Sequence, residues 1–370
     1  MGVYLDCAAT TPIDPHVLEV CVRYLKDDFG NTASRTHPEG AKARRAVERA
    51  RDQIATVVNA NRGDVIFTSG ATEANNLAIQ GLTRVDRMTH IVTTSIEHSA
   101  VMEPINMLET WGYRVTRIAP GKSGAVDARE VAEAVTDATL LVSVMHVNNE
   151  TGVIQPIEQI AEHLGGKPVY FHTDAAQGFA KDLTALRHER IDLISISGHK
   201  ICGPKGVGAL IARRRGRERP PLLPLHYGGG QERGLRPGTL PVALIAALGE
   251  AAERWSKGAS ERWTDGLRFR QSLLDGLAPL HPSVNGENAL PFILNVGIPG
   301  HDSDSIMEAW ADLVSVSSGA ACSSHSYTCS HVLSSMGVQT DNAIRFSWCH
   351  LSEMPDLQAM VAALQEGRVA

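Results

Sequence analysis

Between Val65 and Ala212 short apolar runs alternate with longer amphipathic ones, and this alternation constrains the fold more than any other feature of the sequence. The runs are Val65–Thr68, His90–Ile96, Tyr113–Ile118, Leu140–Val147, Val169–Thr173, Ile191–Ser197 and Val207–Ala212. Their lengths suit strands rather than helices. Between them lie a helix opening after Ser69 and running through Leu77 and Ile79, then Ala100–Trp111, Ala128–Ala134 and Ile157–Leu164, with apolar residues at helical spacing. Strands separated by helices predict an α/β fold with a mostly parallel sheet covered on both faces. Ligands in such sheets bind at the carboxyl ends of the strands, so those ends are the places to look for chemistry.

The flanks read differently. Residues 1–40 carry turn signals, and residues 41–60 form an amphipathic helix through Ala43, Ala46, Val47, Ala50, Ile54, Val57 and Val58. Residues 213–240 hold Arg213-Arg214-Arg215-Gly216-Arg217, Pro220-Pro221 and Gly228-Gly229-Gly230, which predicts a mobile loop with a solvated basic edge. A helix at Leu240–Trp255 leads into a smaller α+β unit. That unit has helices expected at Glu261–Leu277, Asp304–Ala309 and Ser330–Met336, and strands at Phe292–Val296, Val314–Ser317 and Ile344–Trp348.

Composition excludes several functions. A net charge of -6 argues against direct nucleic-acid binding, and no apolar run reaches membrane-span length. The first residues lack a basic stretch followed by an apolar core, so no signal peptide is expected. The six cysteines are scattered without a C-x-x-C pair, which predicts free thiols, no metal centre and a cytoplasmic protein.

Five motifs stand at successive strand ends. Ser69-Gly70-Ala71-Thr72-Glu73 starts a helix, whose free N–H groups and dipole suit a phosphate, with the Thr72 hydroxyl as a further donor. Glu97-His98 offers an imidazole to stack on a flat ring or move protons. Asn148-Asn149-Glu150 offers amides. Asp174, followed by Gln177, ends a buried strand and needs a cationic partner such as a protonated pyridine nitrogen. Ser197-Gly198-His199-Lys200 puts a lysine where a strand enters a glycine turn; desolvation there favours a Schiff-base amine, a solvated loop lysine being the plain alternative. Together the five fit pyridoxal 5'-phosphate. In the C-terminal unit, Ser317–His325 surrounds Cys322 with small polar residues, the setting of a nucleophilic thiol, and Cys329 is its rival. Arg345 faces away from Ile344, Phe346 and Trp348 on one strand, placed to grip a carboxylate, a surface ion pair being the alternative.

With these motifs in view the chain resembles the cysteine desulfurases. The resemblance rests on Gly30-Asn31-Thr32-Ala33-Ser34, Thr68–Glu73, Met145–Glu150, Thr173–Gln177, Ser197–Lys200, Arg233–Thr239 and Ser318-Gly319-Ala320-Ala321-Cys322. It implies a fold-type I pyridoxal-phosphate enzyme of the class V aminotransferase kind. The large domain, residues 15–256, would have a seven-stranded sheet; residues 1–14 and 257–370 would form a small domain carrying the cysteine loop. Lys200 would hold the cofactor covalently, Asp174 would pair with its ring nitrogen and His98 would stack on the ring. Gln177 and Asn149 would meet the ring oxygen or the substrate. Ala71, Thr72, Ser197 and His199 would bind the phosphate, joined by Thr239 from the partner subunit of a homodimer. Arg345 and Asn31 would bind the carboxylate of L-cysteine, and Cys322 would take its sulfur as a persulfide for a protein acceptor.

As a whole the chain is most similar to the desulfurases of bacterial DNA phosphorothioation systems, whose acceptor would be a DNA-modification protein. Sulfur supply for iron–sulfur assembly or tRNA thiolation uses the same chemistry, and a selenocysteine lyase or other β-lyase could work without a thiol nucleophile. Two stretches depart from the family pattern. Ser326-Tyr327-Thr328-Cys329-Ser330 replaces a proline-containing segment, and Phe346-Ser347-Trp348-Cys349-His350 replaces a common Phe-Ser-Leu-Gly ending.

Overall fold

The computed structural model describes residues 2–84, 89–318 and 330–366. After the short strand β1 (Val3–Tyr4) come the strands of the large sheet: β2 (Val65–Thr68), β3 (His90–Thr94), β4 (Arg114–Ile118), β5 (Thr139–Ser143), β6 (Tyr170–Asp174), β7 (Leu193–Ser197) and β8 (Gly208–Ala212). They lie in the order β2-β8-β7-β6-β5-β3-β4. The seven runs found in the sequence are these seven strands. β3 and β5 stop before the apolar pattern does; beyond β5, Val147 has left the sheet to bridge Ile154 in a separate turn.

β8 runs antiparallel to both β2 and β7, while the other neighbours are parallel. Its cause is the short link from Ser197 to Gly208, too short for the crossover that a parallel strand needs. Reversing β8 leaves β2 pointing the same way as β7, so the six remaining strands share one carboxyl edge. Gly208 also lets the start of the next layer come close. A Cβ there would stand 2.7 Å from the Gly70 Cα and 2.4 Å from the Ile196 carbonyl oxygen.

Helices Pro38–Val57 and Val242–Lys257 pack along each other, with Pro15–Lys26 against the second. Small residues allow the close approach: a Cβ on Gly249 would lie 2.7 Å from the Ala50 Cα. Pro15–Lys26 corrects the expectation of turns over residues 1–40. Asp14 caps it by accepting the His16 N–H (2.9 Å) and Pro15 opens it. Only Val17 and Cys21 are buried, while Leu18, Val22 and Leu25 are exposed, so no single apolar stripe announced the helix.

Residues 213–240 also differ from expectation. Arg213 is 6% exposed and donates to the carbonyls of His188, Ile191, Val58 and Leu186. Arg215 pairs with Asp192 at 2.7 Å. The basic run is thus partly a buried clamp on carbonyl oxygens, an arrangement that the fork of a guanidinium suits. Further on, Glu232 is buried and accepts from Arg51 and from the Phe67 N–H (2.8 Å). Arg236 pairs with Glu73 at 2.9 Å. Two ion pairs therefore fasten the glycine-rich segment to β2 and the helices on either side of it.

The C-terminal unit holds β9 (Ser283–Val284), β10 (Ile293–Gly297), β11 (Val314–Ser315) and β12 (Ala343–Ser347). β10 lies between β9 and β12, antiparallel to both, and β1 pairs in parallel with β11. Among the described residues no helix is long and apolar enough to cross a membrane.

Candidate active site

The shared carboxyl edge of the sheet opens into a cavity of about 690 Å³, a size that holds a cofactor and a small substrate. Nine of the residues expected to hold the cofactor line it: Ala71 and Thr72 after β2, His98 after β3, Asn149 after β5, Asp174 and Gln177 at β6, and Ser197, His199 and Lys200 at β7. Each stretch is distant from the next in sequence, and the parallel strands gather them.

Asp174 is 5% exposed. Its Oδ2 accepts from Asn75 Nδ2 at 2.7 Å and its Oδ1 from the Ala176 N–H at 2.9 Å. Asn75 lies in the first turns of the helix Ala71–Thr83, four residues beyond Ala71. Sequence reasoning missed it; the only signal in the chain was an amide next to the apolar Ala74, Leu77, Ala78 and Ile79, and its full burial is a fact of the fold.

His98 is the N-cap of the helix Ser99–Thr110, and its Nδ1 accepts the Ala100 N–H at 3.1 Å. The proton of the neutral ring therefore sits on Nε2. Burial, with Lys200 and His331 nearby, pushes its pKa below the ordinary histidine value, though Asp174 opposes this. His98 is a neutral donor at neutral pH.

Lys200 Nζ donates to the carbonyls of Ala8 and, at 2.8 Å, Ala9. The N-terminal segment thus passes directly over the lysine, and Gln177 Nε2 holds the same Ala8 carbonyl at 2.8 Å. His199 Nδ1 lies 3.2 Å from Thr10 Oγ1, and burial with Lys200 beside it lowers its pKa to about 4. Beneath the cavity the fully buried His172 bridges Ser143 Oγ (2.8 Å) and Ser195 Oγ (3.0 Å), and burial likewise lowers its pKa to about 4.

The cavity fits pyridoxal phosphate on its own features. Gly70 caps the helix Ala71–Thr83 with no side-chain bond to its first N–H groups, as an anion site requires. Gln177 Oε1 is buried without a protein partner among the described residues. A buried carboxylate already holding two donors, Asp174, faces the same space.

Three expected residues stand elsewhere. Asn31 and Thr239 are exposed and do not line the cavity. Arg345 is 1% exposed and also outside the lining. Its Nη2 donates to Asp6 Oδ1 (2.6 Å) and its Nη1 to the Asn149 carbonyl (3.0 Å), while Nε has no partner among the described residues. It is a buried pair, where the sequence alternative was a surface one. Cys322 and Cys329 lie outside the described residues. The chain before them is held at Ser317, paired with Arg345, and after them at Ser330, whose Oγ donates to Glu150.

Glu97 is fully buried beside His98. Its Oε1 accepts from Thr94 Oγ1 (2.7 Å) and the Met145 N–H (2.9 Å), and Oε2 has no partner among the described residues. Burial, with Asp174 as a further cause, raises its pKa from 4.5 to about 8. Across that window the folded protein keeps a proton that the unfolded chain releases, so stability falls as pH rises through it. Replacing Glu97→Gln removes this slope: the loss of Tm between about pH 5 and pH 8 in calorimetry becomes shallower than in the parent. An unchanged slope would show that Glu97 is ionised in the fold.

The aminotransferase class-V family pattern matches residues 3–360. The cysteine desulfurase IscS of Vibrio cholerae serotype O1 is 42% identical over 358 residues, which is 94% of this chain and 88% of that protein. DndA from Streptomyces lividans has a crystal structure that superposes with a TM-score of 0.82 at 44% identity, covering 94% of this chain and 99% of that one. SspA in complex with cysteine gives 0.82 at 37% identity with the same coverage. With the cavity at the sheet edge, these likenesses show that the chain belongs to the cysteine desulfurases of the class V aminotransferase family, which are pyridoxal-phosphate enzymes.

Proposed function

We propose that this desulfurase takes the sulfur of L-cysteine onto Cys322 for a DNA phosphorothioation system, releasing L-alanine. The convergence of His98, Asp174, Gln177 and Lys200 on one cavity carries the chemical part of the reading. The likeness to DndA at 44% identity supports the pathway. The 42% identity to IscS supports the second reading, sulfur supply for iron–sulfur assembly.

The thiol of Cys322 and L-cysteine become the Cys322 persulfide and L-alanine: one S–S bond forms, the substrate C–S bond breaks, and its electron pair takes a proton to complete the alanine methyl group. Bound pyridoxal phosphate supplies the electron sink that makes this carbon chemistry possible. Asp174, fixed by Asn75 and Ala176, would offer its carboxylate to the ring nitrogen. Lys200 would hold the cofactor and would be the base for the α-proton, with the carbonyls of Ala8 and Ala9 placed to hold its ammonium. His98 keeps Nε2–H toward the cavity as donor. The first turn of Ala71–Thr83, with Thr72, Ser197 and His199 lining the same cavity, would bind the phosphate. Arg345, which lies behind the cavity-lining Asn149 whose carbonyl it holds, would reach the substrate carboxylate only by giving up Asp6.

The pairing of β1 with β11 supports the two-domain division, residues 1–14 with 257–370 against 15–256. A homodimer is supported by the exposed apolar residues Leu18, Val22, Leu25 and Phe29, at 45%, 46%, 64% and 73% exposure, and by the outlying position of Thr239. Light scattering on the purified protein checks it.

His98→Gln is expected to keep the cofactor absorbance and to lower kcat about a hundredfold, as loss of one positioned proton donor does. A kcat within about twofold of the parent removes His98 from proton transfer. The pathway is tested by loading the enzyme with radiolabelled sulfur from L-cysteine and offering purified acceptors. Preferred transfer to an iron–sulfur scaffold over a DNA-modification protein favours the second reading.

A further inference from the structure

A buried group of sulfur atoms lies behind the cavity, and the chemistry above leaves it unused. Cys202 follows Lys200 by two residues, Cys7 precedes the Ala8 whose carbonyl holds Lys200, and Cys349 stands just past β12. The three are 0%, 2% and 4% exposed. The sulfur atoms of Cys202 and Cys349 and a ring nitrogen of His350 all lie within 4.8 Å of one another. Cys7 lies beside this group: Ser352 Oγ stands 3.8 Å from the Cys7 sulfur and 3.9 Å from the Cys349 sulfur.

We propose that Cys202, Cys349 and His350, with Cys7 as fourth ligand, form a site for one thiophilic d10 cation, zinc in the first instance. Three sulfurs and one imidazole are the donor set of a closed, structural zinc site. The surroundings suit it. His350 Nε2 lies 3.5 Å from Asp14 Oδ2, the carboxylate partner that orients a metal-bound imidazole and leaves Nδ1 to ligate. A divalent cation on three thiolates carries one net negative charge. Lys181 is 5% exposed, and burial lowers its pKa; thiolates formed nearby on metal binding would favour its charged form and so balance that charge. It makes no ion pair with a carboxylate among the described residues, and its Nζ stands 5.6 Å from the centre of the Trp255 ring. The His350 side chain, 20% exposed, gives the ion a way in from solvent. Each thiol that ligates loses a proton on binding. A bound ion would tie the turn after Lys200, the N-terminal segment over it and the end of β12 into one unit.

The test uses the cofactor-loaded full chain carrying Cys322→Ser and Cys329→Ser, so that neither thiol competes. It is reduced, stripped with a chelator and titrated with zinc against a chromophoric competitor; cobalt(II) then reports tetrahedral sulfur–nitrogen ligation by its visible d–d bands. One zinc per chain and those bands are expected. Both are lost in Cys349→Ser, and Asp14→Asn weakens zinc binding about tenfold. Should Cys349→Ser fail to fold, Cys202→Ser and His350→Asn are expected to show the same two losses. Absence of stoichiometric binding by the parent overturns the proposal, as does equal binding by the parent and the ligand variants.

Discussion

Lys200→Ala is expected to cost at least about a thousandfold in kcat while the protein still folds and binds free cofactor by its phosphate. Two functions leave together, the covalent anchor and the base for the α-proton. Neither has a substitute at hand, because the nearby histidines have their ring nitrogens engaged: His98 Nδ1 by the Ala100 N–H, His199 Nδ1 by Thr10, and, below the cavity, both nitrogens of His172 by two serines. The Ala9 carbonyl loses its donor and that of Ala8 keeps only Gln177, so the N-terminal segment over the site loosens too. Absorbance of the purified variant separates the outcomes. Loss of the protein-linked cofactor band, with free cofactor still retained by Asp174 and the Ala71–Thr83 helix, is the expected result. Retention of more than about a tenth of the parent kcat sinks the role given to Lys200.

Cys322→Ala is expected to stop multiple-turnover alanine release, a loss on the order of a thousandfold or more, with the cofactor spectrum unchanged. The reason is stoichiometric. Without a thiol to accept the substrate sulfur, the C–S bond has no partner in its cleavage, whereas cofactor binding and α-proton removal lie elsewhere. Mass spectrometry of the parent after L-cysteine should show one extra sulfur on the peptide containing Cys322. A Cys329→Ala protein should keep both the persulfide and the turnover. The reverse pattern would transfer the role to Cys329, and undiminished turnover in both variants would favour a β-lyase that needs no thiol nucleophile.

Much of this site was legible before any fold was known. Ala71, Thr72, His98, Asn149, Asp174, Gln177, Ser197, His199 and Lys200 each follow a recognisable strand, and parallel strands put successive strand ends on one edge. Local pattern missed the partners that fix those side chains. Asn75 under Asp174 reads in sequence as one more residue of a helix, and the carbonyls of Ala8 and Ala9 have no side-chain signature at all. Arg345 was rightly placed on a strand, yet its burial against Asp6 and Asn149 depends on segments hundreds of residues away.

The alternation of strands and helices, the strand-end chemistry and the family could all be read along the chain, since each depends on residues close together in it. The reversal of β8, the clamping of Arg213 and Glu232, and the meeting of Cys202, Cys349 and His350, with Cys7 beside them across Ser352, emerge from folding alone. The spacing of the cysteines predicts no metal centre, and the grouping behind the zinc proposal lies beyond its reach, since spacing reports ligands only when they lie near one another in the chain. Packing brings together residues more than three hundred positions apart, and which ones meet is set by the burial of whole elements rather than by any local pattern.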